Sequence, residues 1–280
     1  MAAGDIIVVN ENSFAKKANM YDGTDDYMLA DAHAVARAAA DDTVGTYTAW
    51  IWLDNVAGTK TILSAGDNSS ANEVLSFDAE TNKLQVFLKH GGVNKFLITE
   101  TTGSLTAKTW THVAVVQNGT RCNLYVNGKK IVATDTISTD LTFWYDELTQ
   151  VDKFAIGVRE TNATHLNDFK GAIGQVKYWS LALTESEILE DMHNRTISQD
   201  SGRVTQLDAA LQLNFTMEND GTTDSGLGAD DGTLSGHAYY GNYVSNWSKA
   251  IERNVTGHAA EKLNSFPIAD RVQTIIKRGD

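Results

Sequence analysis

The chain has one cysteine, Cys122, and one proline, Pro267, in 280 residues. A lone thiol excludes an intrachain disulfide framework, and one proline excludes a Pro-rich linker protein. Positive charge is scarce, with 23 Lys and Arg against 36 Asp and Glu, a net of −13. That balance speaks against nucleic acid and against anionic membrane surfaces as partners, because both are held by Lys/Arg patches. It leaves divalent cations open. No apolar run approaches the roughly 18–20 residues of a membrane span. The opening MAAGDIIVVNENSF has no basic n-region and only a short apolar stretch. It reads as no signal peptide, and the expectation is synthesis in a reducing cytoplasm. The sequence has no H-E-x-x-H, no G-x-S-x-G, no Gly-rich phosphate loop and no EF-hand spacing, so the common catalytic motifs are absent. Seven N-x-S/T sequons, the first at Asn68, read as a by-product of Asn- and Thr-rich turns.

What is present reads as strands. Short β-branched and aromatic runs occur at Ile6–Val9, Thr46–Leu53, Lys60–Ser64, Val74–Phe77, Leu84–Leu88 and Phe96–Thr99. Further runs follow at His112–Gln117, Asn123–Val126, Lys130–Ala133, Phe154–Val158, Gln175–Ser180 and Leu211–Phe215. Asn118-Gly119-Thr120 and Asn127-Gly128 are hairpin signals, since Asn and Gly tolerate positive φ. Asp78–Lys83 reads as a hairpin loop. A capping box, Thr184-Glu185-Ser186-Glu187, predicts a helix start. Asp31–Ala40 is Ala-rich and reads as a helix or an ordered loop. Val113 and Val115 alternate with Ala114 and Val116, the pattern of a strand covered on both faces. Trp110 opens that strand as a core anchor, and His112 and Cys122 read as structural.

Charge is uneven. Residues 247–280 carry six basic and four acidic side chains, whereas the rest of the chain carries 17 and 32.

Several segments together resemble one family. Trp110-Thr111-His112-Val113-Ala114, followed by Leu124-Tyr125-Val126-Asn127-Gly128, resembles the W-x-H-V-A … L-Y-V-N-G hairpin of laminin-G-like, concanavalin A-type jelly rolls. Tyr21-Asp22-Gly23-Thr24-Asp25-Asp26-Tyr27 resembles that family's F-D-G-x-D-D-Y loop, and Thr48-Ala49-Trp50-Ile51 its S-A-W-V strand. Phe169–Val176 and Leu181–Ile188 resemble two later segments, in the same order. Gly174-Gln175 replaces the family's usual acidic pair. The strand and loop over Leu211–Ser235 follow the jelly roll here, whereas relatives often place them before it. The resemblance implies an all-β, antiparallel jelly-roll β-sandwich with short helices. The expected organisation is an N-terminal arm at 1–18, the sandwich at 19–245 and a C-terminal extension at 246–280.

Two chemistries suggest themselves. Asp22, Asp25 and Asp26 lie in one loop, and Asp224, Asp230 and Asp231 in another. Hard carboxylate oxygens in flexible loops suit Ca²⁺, and the family often carries calcium in rim loops. The alternative is solvated turns, because Asp and Gly are good turn formers. Glycan or protein contact is the second chemistry. Its candidates are Trp144 and Tyr145 beside Asp146 and Glu147, and the C-terminal aromatics Tyr239, Tyr240, Tyr243 and Trp247. Catalysis is not expected, since the glycosidase E-x-D-x-x-E strand is missing and the acidic residues 185–191 follow helix spacing. Relatives with this domain usually work outside cells, and no leader is evident. The expected function is therefore a non-enzymatic virion structural protein, a capsid decoration or fibre-associated subunit, whose termini contact protein neighbours of the capsid or tail. The alternative is a glycan-binding lectin-like module or adhesin that recognises a cell-surface glycan.

Overall fold

Alternation of apolar and polar residues along each strand gives every strand an inward and an outward face, and two such sheets close over a shared core. A computed structural model describes residues 17–193, 201–216, 221–236 and 239–242. The expected strand Ile6–Val9, residues 1–16 of the arm and the whole of the C-terminal extension, 246–280, lie outside the described residues.

The strands in chain order are β1 (Lys17–Asp22), β2 (Tyr27–Leu29), β3 (Gly45–Leu53), β4 (Thr59–Gly66), β5 (Val74–Glu80) and β6 (Lys83–His90). They continue as β7 (Val93–Glu100), β8 (Trp110–Gln117), β9 (Cys122–Val126), β10 (Lys129–Lys130), β11 (Ala133–Ser138) and β12 (Lys153–Ile156). The last are β13 (Arg159–Thr161), β14 (Thr164–Leu166), β15 (Lys170–Trp179), β16 (Leu211–Phe215), β17 (Thr233–Ser235) and β18 (Tyr239–Asn242). The helices are α1 (Asp31–Ala39), α2 (Glu185–Met192) and α3 (Ser201–Ala210).

The first sheet runs β10-β9-β8-β3-β15-β1-β18, with β16 also pairing β15. The second runs β11-β7-β6-β5-β4-β12-β2-β17, and β13 and β14 form a separate hairpin. The chain crosses repeatedly from one sheet to the other, so the expected antiparallel jelly-roll sandwich is what forms. Asn127 (φ 49°) and Gly128 (φ 76°) make the tight reversal between β9 and β10. The strands β5 and β6 run on to Glu80 and from Lys83, which leaves only Thr81 and Asn82 for their turn. The longer loop expected at 78–83 therefore contracts, and Asp78 becomes a strand residue.

Ala-rich Asp31–Ala39 is a helix, packed on β12. The capping box forms as expected. The Thr184 hydroxyl accepts from the Glu187 amide at 3.3 Å, and the Glu187 carboxylate accepts from the Thr184 amide at 2.7 Å. α3 gave no sequence signal because it lacks an apolar stripe. It is held by Leu207 and Ala210, buried in an apolar cluster with Trp179 and Ile188, and by Arg203, whose Nε donates to buried Glu187 at 2.6 Å.

The inter-sheet core holds most of the aromatic mass, including Tyr47, Phe77, Phe96, Phe154 and Phe169. Trp144 and Tyr145 are part of it. Both are fully buried, which overturns their expected role as an exposed ligand platform. The loop that carries them folds inward with Leu148 and Val151. A polar chain threads this core. His33 Nε2 lies 2.8 Å from the Tyr47 hydroxyl, which lies 2.6 Å from that of Tyr145. Trp144 Nε1 donates to the Tyr178 hydroxyl at 3.2 Å, and Tyr178 donates to Asp42 at 2.9 Å. The buried hydroxyls of Tyr47, Tyr145 and Tyr178 and the Trp144 indole N–H are thereby paired with polar groups of the protein itself.

Burial pushes the His33 pKa down, against the opposing pull of Asp230, whose carboxylate lies 3.6 Å from Nδ1. A group whose folded pKa lies below its unfolded value, about 6.5 for histidine, gives stability that is complete above that value and lost as pH falls through it. His33→Gln should therefore cost about 1–3 kcal/mol at pH 7.5 by breaking the buried network. The gap between wild type and variant should narrow at pH 5. Urea midpoints at the two pH values measure this, and a gap that widens on acidification would show His33 to be charged in the native state.

Candidate functional site

The outward face of the second sheet is where this chain gathers polar and aromatic groups. Leu75, Phe77 and Ala79 of β5 and Leu84, Val86 and Leu88 of β6 point into the core. The alternate residues, Ser76, Asp78, Gln85 and Phe87, point away from it. Strand register aligns Thr134, Thr99, Gln85, Asp78 and Thr61 across five strands as one polar row. The neighbouring row sets Ile137, Leu97, Phe87 and Ser76 side by side.

The β13–β14 hairpin sits against β4 and delivers Arg159 to the centre of this face. Arg159 Nη2 donates to Asp78 Oδ2 at 2.7 Å and to Ser76 Oγ at 2.8 Å. Its guanidinium lies 5.5 Å from the Phe87 ring centroid, a cation–π contact. Asp78 is fully buried and also accepts from Thr61 at 2.6 Å and Ser76 at 2.9 Å. Its carboxylate is thus filled by donors, which fits it to hold Arg159 in place and not to transfer protons. Arg159 Nε has no hydrogen-bond partner among the described residues, and Phe87, Leu97, Gln85 and Thr99 stay half-buried. The result is an aromatic and aliphatic platform bordered by hydroxyl, amide and guanidinium groups. Sequence reading passed over it because Asp78 fell into an expected loop. The one legible signal was Phe87, an aromatic in the outward phase of Leu84-Gln85-Val86-Phe87-Leu88.

The aspartates sort into two groups. Asp22, Asp25 and Asp26 each offer a carboxylate oxygen, all within 4.8 Å of one another. Asp22 closes β1 opposite Lys170. Asp26 is buried and accepts from the Asp22 amide at 2.8 Å, while Asp22 accepts from the Thr24 amide at 2.8 Å. Asp168 adds a fourth carboxyl, missed by sequence reading. Burial first, and then the charges of Asp22 and Asp25, push its pKa up. Its Oδ1 is buried with no hydrogen-bond partner among the described residues. The three clustered carboxylates, which repel one another, fit a Ca²⁺ ion, and Asp168 stands outside that cluster as a further acidic group that feels their charge.

Asp224 does not join them. Its Oδ1 accepts from the amides of Asn214 and Gly226, both at 2.7 Å, and its Oδ2 accepts from the Asp230 amide at 2.8 Å. Three backbone donors thus organise its loop around Asp224, which lies apart from the Asp22–Asp26 cluster. Tyr240 lies on β18 opposite Asn19, and its side chain is outside the described residues, as is all of Trp247.

Comparison with known proteins follows this geometry. No curated protein matches the chain in sequence. Among solved structures, the chain is similar to the CBM40 of the Ruminococcus gnavus IT-sialidase bound to α2,3-sialyllactose. The two share 16% identity with a TM-score of 0.51, over 63% of this chain and 96% of that one. It is also similar to a leech intramolecular trans-sialidase, at 18% identity and a TM-score of 0.52, over 67% of this chain but only 29% of that one. At these identities the likeness is one of fold. The sequence profile described as the concanavalin A-like lectin/glucanases superfamily, a laminin G profile, matches residues 22–189. The chain belongs to the concanavalin A-like lectin/glucanases superfamily.

Proposed function

We propose that this protein is a non-enzymatic glycan-binding domain that holds a sugar on the outward face of its second sheet. The observation that carries this reading is the juxtaposition of Phe87 with Arg159 and the Thr99–Gln85–Asp78 row. An apolar sugar face packs on the Phe87–Leu97 platform, while ring hydroxyls exchange hydrogen bonds with Gln85, Thr99 and the exposed part of the Arg159 guanidinium. The sandwich it shares with a carbohydrate-binding module supports the same reading. The fit of this face favours it over the expected capsid decoration or fibre subunit, for which neither the described residues nor the similar structures offer support. Such a domain acts where glycans are, at or outside a cell surface. No helix among the described residues is long and apolar enough to cross a membrane.

The three carboxylates Asp22, Asp25 and Asp26 would hold Ca²⁺. Asp22 ends β1 and Asp26 precedes β2, so the ion would tie the end of one sheet's strand to the start of the other's.

Two measurements test these readings. On a glycan array followed by calorimetry, Phe87→Ala should weaken binding of the best glycan at least tenfold, about 1.4 kcal/mol. Phe87 is the informative position. Arg159→Ala would instead strand a buried Asp78 charge, at a cost of about 3–5 kcal/mol to the fold. Absence of any glycan binding, or equal binding by Phe87→Ala, would sink the proposal. For the ion, Ca²⁺ at about ten times its Kd should stabilise the wild type by about 1.4 kcal/mol, seen as a higher melting temperature that EDTA reverses. Asp25→Asn, at an exposed position, should abolish the rise. A melting temperature indifferent to Ca²⁺ and EDTA leaves the three as turn residues.

A further inference from the structure

The face that gathers Phe87 and Arg159 is closed at one end and open at the other. Both of its cross-strand rows show the same gradient of exposure. In the polar row Thr61 and Asp78 are fully buried, Gln85 and Thr99 are half-buried, and Thr134 is exposed. In the neighbouring row Ser64 and Ser76 are fully buried, whereas Phe87, Leu97 and Ile137 are half-buried. Pleating turns these side chains of all five strands to one face, so a cover over β4 and β5 alone makes the difference.

That cover is the β13–β14 hairpin with the residues that lead into it. The Ser64 hydroxyl donates to the Val158 carbonyl at 3.0 Å and accepts from the Glu160 amide at 3.1 Å. Gly66 lies in phase with Ser64, and a Cβ there would collide with the Glu160 carbonyl oxygen. Backbone therefore lies directly on β4, and Arg159 reaches from it over β5 to Ser76 and Asp78. At the opposite end β11 closes the sheet among the described residues, with no second wall beside it. Two strand spacings, about 10 Å, separate Phe87 from Ile137. The apolar surface runs across the strands in that direction, because along β6 Phe87 is flanked by polar Gln85 and Lys89.

We infer that this face takes the end of a linear glycan chain, with the terminal sugar seated on Phe87 against Arg159 and the following sugars running over β7 and β11. The inference rests on the glycan-binding reading and adds to it the class of ligand, chain ends as opposed to chain interiors. A hexose unit advances a chain by roughly one strand spacing, so β6, β7 and β11 offer room for about three units. A chain that continued past Phe87 would run into the hairpin backbone on β4. Selectivity concentrates at the walled end. There the guanidinium of Arg159 is fixed by Asp78 and Ser76 and presents directed donors to the terminal ring. Over β7 and β11 only the hydroxyls of Thr99 and Thr134 border the apolar row, and a hydroxyl that can rotate discriminates little between one sugar and another.

Calorimetry on the full chain tests this with linear gluco-, galacto- and manno-oligosaccharides of one to five units, with the parent polysaccharides, and with the best array glycan shortened one sugar at a time. In the series that binds, affinity should climb up to three units and then level off. The parent polysaccharide, which has few ends, should bind at least tenfold more weakly per sugar. Ile137→Ser should weaken the trisaccharide roughly three- to tenfold and leave the disaccharide unchanged, whereas Phe87→Ala weakens both. Thr134→Ala, at an exposed position, makes the same comparison if Ile137→Ser does not fold. A polysaccharide that binds as tightly per sugar as the trisaccharide overturns the inference. So does a disaccharide that matches the trisaccharide, and so do β11 variants that weaken neither or both alike. Those outcomes leave the glycan-binding reading standing, whereas absence of binding to every probe and to the array removes both.

Discussion

β15 holds three strands at once. Along one edge it pairs with β3, and along the other with β1 and then β16, end to end. Its inward side chains Ile173, Val176 and Tyr178 sit in the inter-sheet core, while Ala172 and Trp179 belong to the outer clusters. A bulge at Gly174–Lys177, with Gln175 at φ 50°, shifts the register against β3 between the two halves. A bulge adds one residue to one strand and resets which side chains face out. Here it turns Lys177 outward, where its ammonium meets buried Asp191 at 2.6 Å. Burial would push Asp191 up, but Lys177 and His112 together hold its carboxyl well below the ordinary range. The same strand thus fixes the core, the seat of α2 and, at its Lys170 end, the position of the aspartate loop.

The proposed glycan face obeys a different constraint. A carboxylate as buried as Asp78 is tolerable only when opposite charge and hydrogen bonds fill it. Arg159, Thr61 and Ser76 do so, and their convergence fixes Arg159 beside Phe87. The pair serves specificity of geometry more than stability, because a desolvated ion pair returns little net free energy. Rigid donors next to an apolar ring are what a neutral, hydroxyl-rich ligand needs from a shallow surface, where orientation must come from a few fixed polar groups.

Strands, turns and the α2 cap were legible in the sequence because they are local. Asn127-Gly128 supplies positive φ within two residues, Thr184 and Glu187 cap each other across three, and Val113–Val116 alternate along one strand. The aspartate triad was legible for the same reason, since Asp22, Asp25 and Asp26 are close in sequence before they are close in space. α3 was not legible, because its holds, the Arg203–Glu187 contact across 16 residues and the burial of Leu207 and Ala210 beside Trp179, are made with residues outside the helix.

The sequence by itself therefore determined the fold class, the hairpins and the first three carboxylates of the rim. Tertiary structure alone decided which aromatics are core and which are surface. Trp144 and Tyr145 look exposed in a polar loop, yet they are drawn inside because their hydroxyl and indole groups find Tyr47 and Tyr178 there. Arg159 meets Asp78 across 81 residues only once β13–β14 folds onto the second sheet. Asp224 gathers backbone amides of its own loop and of β16, which sequence spacing could not show. Sequence spacing carries contacts made within a turn or a strand, whereas a site assembled from strands distant in the chain exists only in the register that pairs them.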